Sequence, residues 1–191
     1  MLFEVLIAGF GGQGILFLGD ALAESALREN RHVTFLPTYG VAMRGGTANC
    51  VVTISDIEVG SPLLDEPDAG ILMNRPSLVR FQSIIRAGGL IVANASIIEL
   101  EAYERGEAVR IVWLPATEMA AEIAGTERSA NMVALGAFLA VEPVVNVETV
   151  EAVIREAAFV GKPQLIEKNL AALHAGIDFV RNSSSVLPGV Q

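Results

Sequence analysis

Gly9, Gly11, Gly12 and Gly14 crowd the stretch Ile7-Ala8-Gly9-Phe10-Gly11-Gly12-Gln13-Gly14-Ile15. Glycine has no Cβ and takes positive φ, so backbone N–H groups in such a turn can approach a ligand closely. If a helix begins there, its positive end favours an anion. Gly9, Gly11 and Gly14 satisfy the dinucleotide spacing GxGxxG, which also expects an acidic ribose ligand roughly 20 residues on. The second run of chemistry-bearing residues is Pro37-Thr38-Tyr39-Gly40-Val41-Ala42-Met43-Arg44-Gly45-Gly46. Arginine offers a planar fork of donors suited to phosphate or carboxylate, and the two glycines beside it leave room for close approach.

Other chemistry is scarce. His32 opens an expected strand and His174 lies in an expected helix, so neither belongs to an evident triad, and no metal-ligand spacing stands out. The lone Cys50 lies within an expected strand, where it reads as a buried, inert thiol and rules out a disulfide or cysteine-ligated cluster within the chain. An anion-receptive turn without a nucleophile, general base or redox centre fits a binding subunit better than a complete catalyst.

The elements that position these residues follow from periodicity. Phe3, Val5, Leu6, Ile7 and Ala8 read as a buried strand, and Leu16, Leu18, Leu22, Ala23, Ala26 and Leu27 recur at helical spacing. His32-Val33-Thr34-Phe35-Leu36 is the second strand, giving a β-α-β start with parallel strands and residues 37–46 as a loop. No Asp or Glu stands at the end of that strand, so the glycines equally read as close packing of the first helix. Further strands are expected at 47–54, 69–73, 90–93 and 109–114, with a short extended piece at 58–64.

Asn74 is expected to cap a helix running to Phe81, Thr117 to cap one reaching Ala124, and Asn146 to open another. Residues 132–141 are apolar all round, as a helix buried in a core or against another subunit must be. A last amphipathic helix spans 164–182, carrying Ile166, Leu170, Leu173, Ile177 and Val180 on one stripe. The expected fold is α/β: one Rossmann-like, three-layer domain with a mostly parallel sheet over residues 1–182, then a flexible tail at 183–191.

Composition narrows the partners. At 191 residues and 52% hydrophobic, the chain can bury a substantial core. A net charge of -9 and a pI near 4.7 argue against nucleic acid and leave room for a basic partner. The longest apolar run falls short of the roughly 20 residues that span a bilayer, and a cytoplasmic, membrane-free chain is expected. A mean hydropathy of +0.49 is high for so charged a chain, as it would be if partners covered apolar surface.

Three segments carry a resemblance: Gly9-Phe10-Gly11-Gly12-Gln13-Gly14-Ile15; then Pro37 to Gly46 continuing through Thr47-Ala48-Asn49-Cys50; then Ser55-Asp56 with Gly60-Ser61-Pro62. Asn94-Ala95-Ser96, Pro115-Ala116-Thr117 and Asn131-Met132-Val133-Ala134-Leu135-Gly136-Ala137 extend it. The sequence resembles the gamma subunit of the 2-oxoacid:ferredoxin oxidoreductases, the pyruvate/ketoisovalerate oxidoreductase catalytic domain family.

The resemblance implies a subunit, inactive alone, of a complex with alpha, beta and in some cases delta subunits. Those partners carry thiamine diphosphate and iron–sulfur clusters. The complex would decarboxylate a 2-oxoacid oxidatively, form acyl-coenzyme A and reduce ferredoxin. Met43 before Arg44 and Thr47-Ala48-Asn49-Cys50 look most like the 2-oxoglutarate branch, although Ala42 stands where the family often has an acidic residue. On this reading Gly9, Gly11, Gly12, Gln13, Gly14, Tyr39, Arg44, Gly45 and Gly46 form the coenzyme A side of the site, or the loop holds a catalytic subunit. The alternatives are the related indolepyruvate oxidoreductase subunit and a self-sufficient Rossmann-type nucleotide-binding oxidoreductase.

Overall fold

The computed structural model describes residues 1–39, 47–60, 66–104, 108–157, 163–182 and 186–187. Strands β1 (Leu2–Phe10), β2 (His32–Tyr39), β3 (Thr47–Ser55), β4 (Ala69–Leu72), β5 (Leu90–Asn94), β6 (Arg110–Leu114) and β7 (Val186–Leu187) form one sheet. Their order is β2-β3-β1-β4-β5-β6-β7. β4 and β5 are buried at every position, which is why they read as short continuous apolar runs: a central parallel strand is covered on both faces.

Helices α1 (Ile15–Arg28), α3 (Ala116–Ala124), α4 (Ala130–Val141), α5 (Val147–Glu156) and α6 (Pro163–Asn182) share the larger core with Val5, Ile7, Cys50, Val52, Ile71 and Val92. Helix α2 (Arg75–Phe81) and the 3-10 turn Leu100–Ala102 cover the opposite face through Leu78 and Ala102, against Leu72, Ile91, Ala93 and Ile111. The architecture is the expected α/β layering, heavily weighted to one side.

Several elements differ from the expectation. β1 and β2 point the same way but are not neighbours, because β3 lies between them and is antiparallel to both. β3 follows β2 after a short link, and sequential strands prefer to pair. Together with the antiparallel β6–β7 pair, this leaves parallel ladders only among β1, β4, β5 and β6. Five of the seven strands still share one direction.

β2 runs on through Pro37 to Tyr39, with Pro37 opposite Cys50. As an edge strand it tolerates a residue that lacks an N–H. No strand forms at 56–60, and 61–65 fall outside the described residues. Beyond Asn182, Val186 and Leu187 return to pair with Val112 and Ile111 on the exposed β6 edge, while 183–185 and 188–191 fall outside the described residues.

The apolar helix begins two residues earlier than expected, at Ala130, and every residue from Ala130 to Leu139 is buried. It crosses α6 at two glycines. A Cβ on Gly136 would lie 1.9 Å from the Leu173 carbonyl oxygen, and one on Gly176 1.9 Å from that of Val133. The two backbones therefore touch. Phe138, fully buried, packs its ring 6.3 Å from that of Phe3 and ties this crossing to β1.

Candidate functional site

β1 and β4 are sheet neighbours whose following helices leave to opposite faces, α1 onto the larger core and α2 onto the smaller. At such a switch point a crevice opens outside the carboxyl ends of the strands. The glycine turn stands at its edge. Gln13 N–H donates to the Phe10 carbonyl at 3.1 Å, and Gly12 and Gly14 take φ of 100° and 71°, where a side chain would be strained. Gly14 is the N-cap residue of α1, with no side-chain hydrogen bond capping the helix and no acidic residue in its first turn.

Amide side chains brace the crevice. The Gln13 Oε1 accepts from the Phe10 N–H at 2.6 Å and from Asn74 Nδ2 at 3.3 Å, while its Nε2 donates to the Met73 carbonyl at 3.2 Å. Asn74 caps α2 as expected, its side chain accepting from Ser77 N–H at 2.9 Å. Asn94 Nδ2 donates to Thr117 Oγ1 at 2.8 Å, and its Oδ1 accepts from Thr117 N–H at 3.4 Å. Thr117 thus lies inside α3 and serves Asn94; the N-cap of α3 is Pro115. Buried Asn131 donates to the Gly14 carbonyl at 3.1 Å, and a Cβ on Gly14 would lie 2.4 Å from its Nδ2.

Between these braces lies a cleft of about 270 Å³, lined by Gly12, Gln13, Met73, Ile97, Thr117, Glu127, Arg128 and Ala130. Thr117 and Ala130, in the first turns of α3 and α4, reach it, and the Gly12–Gln13 turn leads into α1; in α3 the first-turn N–H groups already have acceptors, Thr117 in Asn94 Oδ1 and Glu118 in Ser96 Oγ at 3.2 Å. Partial positive charge from three helix ends, with the exposed Arg128 guanidinium beside them, makes the cleft receptive to an anion. Glu127 on the same rim offsets part of that field.

Of the residues singled out from sequence, Gly12 and Gln13 line the cleft, Gly9, Gly11 and Gly14 build the turn that carries them, and Tyr39 ends β2 opposite Ala48. A Cβ on Gly9 would meet Gln13 Oε1 at 2.6 Å, so this glycine makes room for the Gln13 brace. Arg44, Gly45 and Gly46 fall outside the described residues. Thr117 and Arg128 were not singled out as site residues. The one sequence signal for Arg128 is an arginine two residues before a helix that carries no charge.

Cys50 is fully buried, its thiol donates to the Ile15 carbonyl at 3.7 Å, and burial pushes its pKa up to about 12. A protonated thiol alone in a core does not fit a cluster ligand. Among the described residues no helix is long and apolar enough to cross a membrane.

Residues 4–179 match the family described as pyruvate ferredoxin/flavodoxin oxidoreductase. The ketoisovalerate oxidoreductase subunit VorA of Methanothermobacter marburgensis is 40% identical over 94% of this chain, which spans only 37% of that relative's length. The 2-oxoglutarate synthase subunit KorC of Methanothermobacter thermautotrophicus is 32% identical over 95% of this chain and 96% of its own. Among solved structures, a 2-oxoglutarate:ferredoxin oxidoreductase from Magnetococcus marinus, with 2-oxoglutarate, coenzyme A and succinyl-CoA bound, superposes with a TM-score of 0.87. At 24% identity it covers 99% of this chain and 32% of its own. The chain belongs to the pyruvate ferredoxin/flavodoxin oxidoreductase family, the gamma-subunit family that its glycine turn and Arg-Gly-Gly loop resemble.

Proposed function

We propose that this chain is the gamma component of a multi-subunit 2-oxoacid:ferredoxin oxidoreductase and forms the coenzyme A side of its active site. In the overall reaction a 2-oxoacid and coenzyme A give acyl-coenzyme A and CO2, and the two electrons released pass to ferredoxin. Thiamine diphosphate and iron–sulfur clusters, held by partner subunits, supply the decarboxylation and electron transfer.

This chain's task is to hold and orient the thiol substrate. The observation that carries the reading is the switch-point cleft, where the Gly12–Gln13 turn, the starts of α3 and α4 and Arg128 converge. Coenzyme A brings a pyrophosphate and a 3′-phosphate, and such anions sit well on helix N-termini beside a guanidinium. On the resemblance alone, the proposed coenzyme A role extends to Tyr39, Arg44, Gly45 and Gly46.

Two 2-oxoacids compete as substrate. The Met43-Arg44 and Thr47-Ala48-Asn49-Cys50 signature favours 2-oxoglutarate; the higher identity to a ketoisovalerate oxidoreductase subunit favours a branched-chain 2-oxoacid. A self-sufficient nucleotide oxidoreductase has less support, since β2 carries no Asp or Glu to hold a ribose.

The test is co-expression with neighbouring subunits, purification through a tag on this chain, and reduction of ferredoxin or a viologen with each 2-oxoacid. Arg128→Ala and Arg44→Ala are each expected to raise the KM for coenzyme A about tenfold, the loss of one charge-assisted contact, with kcat little changed. An unchanged KM in a fully assembled complex removes the coenzyme A role. A lone, colourless chain that titrates tightly with NAD removes the complex as well.

A further inference from the structure

Two side chains that line the cleft are each held in one orientation by a buried asparagine. Asn94, 1% exposed, accepts at Oδ1 from the Ser96 N–H at 3.3 Å and the Thr117 N–H at 3.4 Å. A backbone N–H cannot accept, so Nδ2 is the atom that meets Thr117 Oγ1 at 2.8 Å, and it donates. The hydroxyl oxygen of Thr117 is thereby an acceptor towards Asn94, and its proton has no acceptor among the described residues. Asn74, also 1% exposed, does the same for Gln13. Its Oδ1 is taken by the Ser77 N–H at 2.9 Å, so its Nδ2 donates to Gln13 Oε1 at 3.3 Å. Gln13 Oε1 also takes the Phe10 N–H, which fills both of its lone pairs. Nε2 gives one N–H to the Met73 carbonyl and keeps a second without an acceptor among the described residues.

Thr117 and Gln13 are both half-buried, so both can meet a ligand in the cleft, and each has a proton to give. Arg128 adds a cationic donor, and Glu127 is the one carboxylate among the lining residues. An amide of the pantetheine arm must place an N–H as well as a carbonyl, whereas a phosphoryl oxygen only accepts and, being charged, strengthens each bond it receives. We infer that the Thr117 hydroxyl and the second Nε2–H of Gln13 donate to phosphoryl oxygens of coenzyme A, and that Asn94 and Asn74 are positioning residues that set those two donors. The inference rests on the coenzyme A reading of the cleft.

The co-expressed complex is assayed for ferredoxin or viologen reduction with coenzyme A varied, and inorganic pyrophosphate is the competing probe. Thr117→Val, which keeps the shape and loses the hydroxyl, is expected to raise both the KM for coenzyme A and the inhibition constant of pyrophosphate about tenfold. Thr117→Ser, which keeps the hydroxyl, is expected to stay within about twofold of wild type in both. Asn94→Asp keeps an acceptor for the two N–H groups but replaces Nδ2 with an oxygen that takes the Thr117 proton. The loss it causes is expected to be severalfold smaller in the Thr117→Val background than alone. An equal loss in both backgrounds leaves only the charge at position 94 and overturns the positioning role. Pyrophosphate that does not compete in wild type, or whose constant Thr117→Val leaves unmoved, overturns the phosphoryl contact. Equal damage from Thr117→Ser and Thr117→Val also overturns it, since the site then answers to shape. If the wild-type complex shows no dependence on coenzyme A, the coenzyme A reading falls and this inference with it, a result distinguishable because it precedes any substitution.

Discussion

The two faces of the sheet are covered very unequally. On one, five helices bury Phe138, Cys50 and the Gly136/Gly176 crossing with no room to spare. On the other, α2 and the 3-10 turns Gln82–Ile84 and Leu100–Ala102 cover the centre, and Ile97 and Leu100 are left half in water. The packed face fixes the strand ends and the helix starts that frame the cleft. The thin face leaves apolar surface in water. Dense packing is thereby concentrated on one face, and substitutions on the two faces should differ in what they cost.

The sharpest contrast is Gly136→Ala. With a carbonyl oxygen 1.9 Å from the new Cβ, helices α4 and α6 must part along the crossing, at a cost of about 3 kcal/mol. A chemical-denaturation midpoint measures it; a midpoint equal to wild type would mean the helices do not touch there. The next effect depends on pH. Because burial raises the Cys50 pKa from its ordinary 9.0 to about 12, the folded chain holds this proton more tightly than the unfolded one. Its contribution is intact below pH 9 and is lost progressively as pH rises from 9 toward 12. Native chain should therefore resist iodoacetamide at pH 8.5 and react on unfolding, and Cys50→Ala should flatten the alkaline loss; fast native alkylation would place the thiol outside the core.

The smallest effect belongs to the thin face. Leu100→Ser in the isolated chain should shift stability by no more than about 0.5 kcal/mol, as an exposed position does. A larger loss would mean Leu100 is packed in the free chain, and the contrast between the faces would weaken.

Much of the packed face was legible from the sequence, because burial writes itself into periodicity. The run at 132–141 has no polar face, so its helix had to be interior, and 69–73 and 90–93 are too short and too apolar for anything but central strands. The glycine turn was legible because four glycines before an amphipathic helix have few other uses. Gly136 and Gly176 left no comparable signal. Each is isolated in its helix, and only the crossing shows that a backbone occupies the space of the missing side chain.

What the sequence determined by itself was local: which segments are helices and strands, where the anion-receptive turn lies, that a cluster has no ligands here, and the family signature. What the tertiary structure decided was neighbourhood. It placed β3 between β1 and β2, carried Pro37 and Tyr39 into an edge strand, turned Thr117 from an expected cap into a partner for Asn94, and brought Arg128 to the Gly12–Gln13 turn. These outcomes depend on contacts between residues tens of positions apart, which neither periodicity nor local turn chemistry encodes.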